Sequence, residues 1–252
     1  MKSIKINFLG TNGWFSSQVG NTTCVLLEFD QCFVILDAGN GIKDLDLHIK
    51  DAAKPIFLFL SHYHIDHISG LHVLNKFKHF KELTICCQPG GKEILDKIIC
   101  QPYTIAFNDL HYKVIFRELM EGDSQGFPFK VHCLSLVHSS PCFGFRFEVQ
   151  DKIITYCTDT GICPNAVALA KNADLLITEC AYLPGQVVKH WPHLNPEQAA
   201  QLAQDAGAKQ LALIHFDAYN YPTMDKREEA GIKAKEIFRN TIVGKDGMQL
   251  EI

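Results

Sequence analysis

The six residues His62-Tyr63-His64-Ile65-Asp66-His67 come one residue after the apolar run Ile56 to Leu60, and they restrict the possible folds more than any other stretch. Three imidazoles and a carboxylate fall within six positions. A strand would send alternate side chains to opposite faces and a helix would spread them around its barrel, so a compact loop at a strand end suits them best. Crowded imidazoles lose packing, and repel one another once protonated, unless a cation holds them. Spacing and ligand chemistry therefore point to a metal site. The run Ile56 to Leu60 reads as a strand buried on both faces that anchors the loop.

At 252 residues and 47% hydrophobic, the chain can bury a large core, and one layered domain spanning 1–252 is expected. Net charge is -4, with lysines and arginines scattered rather than gathered in a stripe, so strong nucleic-acid binding is not expected. Ten cysteines occur without a C-x-x-C pair. Met1 to Leu9 alternates like a first strand rather than presenting a secretory core. Free thiols in a reducing cytoplasm are the expectation. No stretch approaches a membrane span, so no membrane partner is expected.

Hydrophobic periodicity places strands at 4–9, 23–29, 33–37, 56–60, 83–87, 112–116, 129–137, 144–149, 152–157, 175–178 and 210–214. Helices are predicted to run to about Ile49 and over 68–80, 91–99, 164–171, 196–206 and 224–238. The 68–80 helix rests on Leu71, Leu74, Phe77 and Phe80, and Lys226-Arg227-Glu228-Glu229 reads as the solvated face of the last one. Each half opens on strands and continues by alternating helix and strand. The predicted fold class is α/β (α+β), a four-layer αββα sandwich of two mixed sheets face to face with helices outside.

Further candidate ligands lie at strand ends in the second half: His138, Asp159 in Thr158-Asp159-Thr160-Gly161, and His215 after Leu211 to Ile214. Taken singly, each could be an ordinary strand-end cap. Trp14 and Phe15, in the long loop 10–21, read either as cover for a site or as packing anchors.

The ordered set of phrases resembles the metallo-beta-lactamase superfamily, and within it the ribonuclease Z and cyclic phosphodiesterase branch. The phrases are Phe8-Leu9-Gly10-Thr11, Leu36-Asp37-Ala38-Gly39, His62 to His67 with Gly70-Leu71, His138 before Gly144-Phe145-Arg146, Tyr156-Cys157-Thr158-Asp159-Thr160, Leu175 to Glu179, His193 to Ala199, and Leu213-Ile214-His215-Phe216.

The resemblance implies a dinuclear metal hydrolase. His62, His64 and His138 would hold one divalent cation, Asp66, His67 and His215 the other, and Asp159 would bridge them. Zinc is the expected metal, with manganese or iron as alternatives. Asp37 would brace the loop. A water between the cations would become hydroxide near neutral pH, oriented by Asp66. His193 would protonate the leaving group and Glu179 would orient it, with Thr178 standing where the branch often carries histidine. Asn195-Pro196-Glu197-Gln198 reads as a helix start beside His193.

Ribonuclease Z inserts a tRNA-binding arm between the His138 and Asp159 elements, and the short segment here leaves no room for one. The expected substrate is therefore a small or cyclic phosphodiester, or another anionic ester. Alternatives are RNA 3′ processing, a lactone or thioester hydrolase, and a metal-binding module without turnover. A homodimer is a further implication of the resemblance.

Overall fold

The computed structural model describes residues 3–50 and 53–252, so the Met1-Lys2 end of the first-strand reading lies outside the described residues. Two seven-stranded sheets face each other among those residues. The first runs, in spatial order, Gln249–Glu251, Lys5–Gly10, Cys24–Glu28, Phe33–Leu36, Ile56–Phe59, Glu82–Cys87 and Lys113–Glu118. The second runs Thr241–Val243, Leu211–Ile214, Leu175–Glu179, Lys152–Cys157, Phe143–Val149, Lys130–Ser135 and Gly122–Ser124. Each sheet is antiparallel in one half and parallel in the other. The change of direction falls at Phe33–Leu36 in the first sheet and at Lys152–Cys157 in the second.

Period-two alternation accounts for the layering. Phe57 and Phe59 face the core between the sheets, while Ile56, Leu58 and Leu60 face the outer layer of the first sheet. Phe59 meets Phe145 and Phe147 edge-on across the middle, with ring centroids 5.3 and 5.1 Å apart. Full burial of each such ring contributes about 1.5–3 kcal/mol. The helices Pro164–Ala170, Pro196–Ala206 and Met224–Ile237 cover the outside of the second sheet, completing the αββα sandwich.

Two expectations fail, for physical reasons. The amphipathic helix over 68–80 is instead a short α-helix, Ile65–Ile68, continued by the 3-10 helix Ser69–Lys76. Leu71, Leu74, Phe77 and Phe80 recur every three residues, which keeps them in line at three residues per turn but walks them around an α-helix. The short strands Gly122–Ser124, Thr241–Val243 and Gln249–Glu251 escaped prediction because each is only three residues long and carries no apolar run.

Arg227 is the second correction to a local reading. It sits in the stretch read as solvated, yet it is fully buried. Its guanidinium donates to Thr11 Oγ1 at 2.9 Å and to Asn12 Oδ1, and lies 4.9 Å from the centre of the Phe216 ring. Burial pulls its pKa down to about 10, so it still carries its charge at neutral pH. It thus ties the last helix to the paired segments Asn12–Gly13 and Phe216–Asp217. Arg227→Ala is expected to lower stability by about 2–4 kcal/mol in urea denaturation, because it strands buried acceptors and leaves a void. Glu228→Ala, on the exposed side of the same turn, should stay within about 0.5 kcal/mol.

Candidate metal centre

The site is assembled at one end of the sandwich, where both parallel halves deliver their strand ends. Asp37 follows Phe33–Leu36 and His62 follows Ile56–Phe59 in the first sheet, and these two strands are parallel neighbours. Asp159, Glu179 and His215 lie at the ends of three consecutive parallel strands of the second. His138 comes from the turn after Lys130–Ser135. His64 caps the helix Ile65–Ile68 with extended backbone, and that helix carries Asp66 and His67. Asp37, Asp159 and His215 adopt φ of 57°, 56° and 50°, a left-handed conformation that turns the chain sharply at each strand end.

Hydrogen bonds fix the tautomers of three of the imidazoles, those of His62, His67 and His138. Ser61 Oγ donates to Asp37 Oδ2 at 2.8 Å, so it accepts from His62 Nδ1 at 3.0 Å. That leaves His62 Nε2 as a bare lone pair, buried and without a hydrogen-bond partner. His67 Nδ1 donates to Asp37 Oδ2 at 2.8 Å, and His138 Nδ1 to the Pro192 carbonyl at 3.4 Å. In all three rings the Nε2 lone pair is turned to the same place. Asp37 also accepts the Ser61 N–H at 2.7 Å and the Tyr156 hydroxyl at 2.7 Å.

Three donor groups have their ligand atoms within 4.8 Å of one another: His62, His64, His138 and Asp159; Asp66, His67 and His215; and Asp159, His193 and His215, the last overlapping the first two. Asp159 lies between the first two. Its Oδ1 is 3.3 Å from His67 Nε2 and 3.2 Å from His215 Nε2, whereas its Oδ2 is 3.7 Å from both His62 Nε2 and His138 Nε2. Asp66 Oδ2 is 3.2 Å from His215 Nε2 and accepts the Trp14 N–H at 2.8 Å. A Cβ on Gly13 would come within 2.6 Å of the His215 ring, so only glycine leaves that ring its place.

Electrostatics within the cluster conflict when it holds no cation. Burial, reinforced by the neighbouring His67, drives His62 well below the usual imidazole range. Burial acts on His67 in the same direction, but the carboxylates of Asp159, Asp66 and Asp37 overrule it and raise that ring well above the range. Burial would raise Asp159, yet His215, His67 and His62 hold it well below the carboxylate range. Inward lone pairs, an orphaned Nε2 and clustered carboxylates fit divalent cations, which remove the conflict.

His193 stands apart from this ligand shell in its partners. Its Nδ1 donates to Glu179 at 2.8 and 2.9 Å, and burial, which lowers its pKa, is overcome by that carboxylate, which lifts it to about 9. Glu179 is fully buried and also accepts the Thr160 N–H at 2.6 Å. Thr178 takes no part, its hydroxyl donating to the Cys157 carbonyl at 2.5 Å. The expected helix start is present, and Asn195 and Gln198 form a capping box there at the beginning of Pro196–Ala206, which fixes the segment carrying His193.

All seven proposed metal donors, together with His193 and Glu179, are thus brought to one end of the fold. His64, Asp66, Asp159, His193 and His215 open onto a cavity of about 510 Å³. Sequence reasoning missed Trp191 and Tyr182, which line the same cavity. The position of Trp191, two residues before His193, was the available signal.

A family model described as the Beta-lactamase superfamily domain matches residues 33–216. Ribonuclease Z of Bacillus velezensis is 25% identical over 313 aligned positions, covering 99% of this chain and 99% of the relative. The probable metallo-hydrolase YhfI of Bacillus subtilis is 24% identical over 252 positions, covering 98% and 100%. The YhfI crystal structure superposes with a TM-score of 0.82 over the whole of both chains. A diphosphatase of the PhnP family, 16% identical, superposes with a TM-score of 0.75 over 99% of this chain and 98% of its own.

Asp159→Ala is expected to abolish tight metal retention through dialysis, measured by elemental analysis. Asp37→Asn, which keeps the shape but removes the acceptor charge, should weaken metal affinity about 10–100-fold in a chelator competition.

Proposed function

The chain belongs to the beta-lactamase superfamily, and from that premise we propose that this metal-dependent hydrolase is a dinuclear phosphodiesterase acting on a small or cyclic phosphodiester. The observation that carries the reading is the placing of Asp159, whose two oxygens face two separate histidine groups. His62, His64 and His138 would hold one cation, Asp66, His67 and His215 the other, with Asp159 shared, and imidazole-rich donors suit zinc, with manganese or iron as alternatives. When bound, the cations supply Lewis acidity, which acidifies water and offsets charge on a phosphate.

The remaining chemistry belongs to the chain's own residues. Trp14 N–H and His215 engage one oxygen of Asp66 and hold its carboxylate in place at the cavity wall, from where it can orient an attacking water. Glu179 holds His193 Nδ1 protonated and leaves Nε2 for the cavity side. From there the ring can deliver a proton to a leaving alkoxide. These donors and acceptors are already held in place and need not rearrange during the reaction.

The short segment between His138 and Asp159 supports a small substrate. The ribonuclease Z alignment extends over 313 positions, more than this chain's 252 residues, whereas the YhfI alignment runs over 252. Between His138 and Asp159 the chain forms only Phe143–Val149 and Lys152–Cys157, both built into the second sheet. That leaves no segment there for an arm that would grip a folded RNA. No helix among the described residues is long and apolar enough to cross a membrane.

Hydrolysis of bis(p-nitrophenyl) phosphate should be lost on chelation and restored by zinc. Two metal ions per chain and no turnover of this or any cyclic diester would overturn the reading. His193→Ala should keep its metal and lose about 10²–10⁴-fold in kcat on esters with poor leaving groups, with a smaller loss for p-nitrophenolate, which needs no proton.

A further inference from the structure

The cavity in front of the metal donors is walled by side chains that the reaction itself does not need. The chain has two tryptophans, Trp14 and Trp191, and both line it. Both are exposed, by 65% and 46%, although burying an indole is favourable. Trp191 lies parallel to the His64 ring, with centroids 5.9 Å apart and planes 5° from parallel, so it extends the wall of the metal centre outward. Its backbone carbonyl accepts from the Tyr182 hydroxyl, which anchors the segment.

Trp14 is held in an unfavourable backbone conformation. Its φ is 68°, a left-handed value that bulky residues rarely adopt. Its N–H donates to Asp66 Oδ2 at 2.8 Å, and its ring packs edge-on against Phe15, itself partly exposed. The strain therefore holds an indole at the rim of the site and connects it through one backbone bond to Asp66.

The charge of the wall is equally informative. Among the described residues, none of those lining the cavity is a lysine or arginine. Outside the metal donors and His193, the wall is apolar or aromatic, with Ile65, Ala181 and Tyr182, plus the carboxylate of Asp217. A second phosphate placed there would meet Asp217 and no cation.

We propose that Trp14 and Trp191 form a subsite for a planar aromatic group, of the nucleobase class, carried by a substrate with a single phosphate. Only the placing of that phosphate at the metal centre rests on the phosphodiesterase reading. The indoles offer faces on which any planar base can stack, and the missing cations select against further phosphates, as in a polynucleotide or a sugar bisphosphate.

The test is equilibrium binding to the zinc-loaded protein, by calorimetry, of adenosine 5′-monophosphate against ribose 5-phosphate, which carries a hydroxyl in place of the base. Stacking predicts that the base tightens binding at least ~10-fold and quenches intrinsic fluorescence, both tryptophans being at this site. Trp191→Ala should bring the affinity ratio close to one, and Trp191→Phe should keep most of it. Adenosine 3′,5′-bisphosphate should bind no more tightly than the monophosphate. Equal affinities in the native protein, or a ratio untouched by both Trp191→Ala and Trp14→Ala, would overturn the proposal, as would tighter binding of the bisphosphate. The ratio appearing without any diester turnover would remove the phosphodiesterase reading and leave the subsite standing. Diester turnover with equal affinities would do the reverse.

Discussion

The carboxylate of Asp37 is the fixed point to which the rest of the site is referred. It is fully buried, it ends a strand of the first sheet, and it accepts four hydrogen bonds from three residues. Two come from Ser61, which thereby dictates the tautomer of His62, and one from His67, whose Nε2 is turned into the cluster in the same way. The fourth comes from Tyr156 on the second sheet, so the same carboxylate fastens the two sheets together at the end where the site lies. A buried charge is tolerable only when its acceptor capacity is filled, and here filling it aligns the imidazoles.

From that anchor the design follows strand ends. Parallel strands present their carboxyl ends on one side of a sheet, and each sheet has a parallel half. Facing the two halves brings Asp37 and His62 opposite Asp159, Glu179 and His215. Left-handed turns at Asp37, Asp159 and His215 aim those side chains inward, a local cost met by the packed core beneath. The interior is apolar between the sheets and becomes polar only at this rim. That gradient lets clustered carboxylates and imidazoles face one another with little water between them.

Legibility varied with how local each signal was. Strands 143–149, 152–157 and 211–214 were readable because alternation and long apolar runs are properties of adjacent residues. The capping box at Asn195 was readable for the same reason. The three-residue spacing of Leu71, Leu74, Phe77 and Phe80 is present in the sequence, but four points at that spacing resemble an amphipathic α-helical face as closely as a 3-10 one. Arg227 was misread because its neighbours are charged and exposed. Nothing within a few residues says that Thr11, Asn12 and Phe216 wait beneath it. Trp191 passed unnoticed because an isolated aromatic in a loop carries no period.

The sequence by itself determined the crowding of His62, His64, Asp66 and His67, the strand that anchors them, the alternation that requires two buried sheet faces, and the family to which the ordered phrases belong. These are consequences of spacing along the chain, which no fold can alter. Only the tertiary structure decided that His138, Asp159 and His215 meet that cluster, that Asp159 turns one oxygen to each group, that Glu179 locks His193, and that two exposed tryptophans border the opening. Those relations join residues far apart in the chain, such as Asp66 and His215, which are 149 positions apart. They depend on how two sheets twist, face and pack, which is a property of the whole core rather than of any one segment.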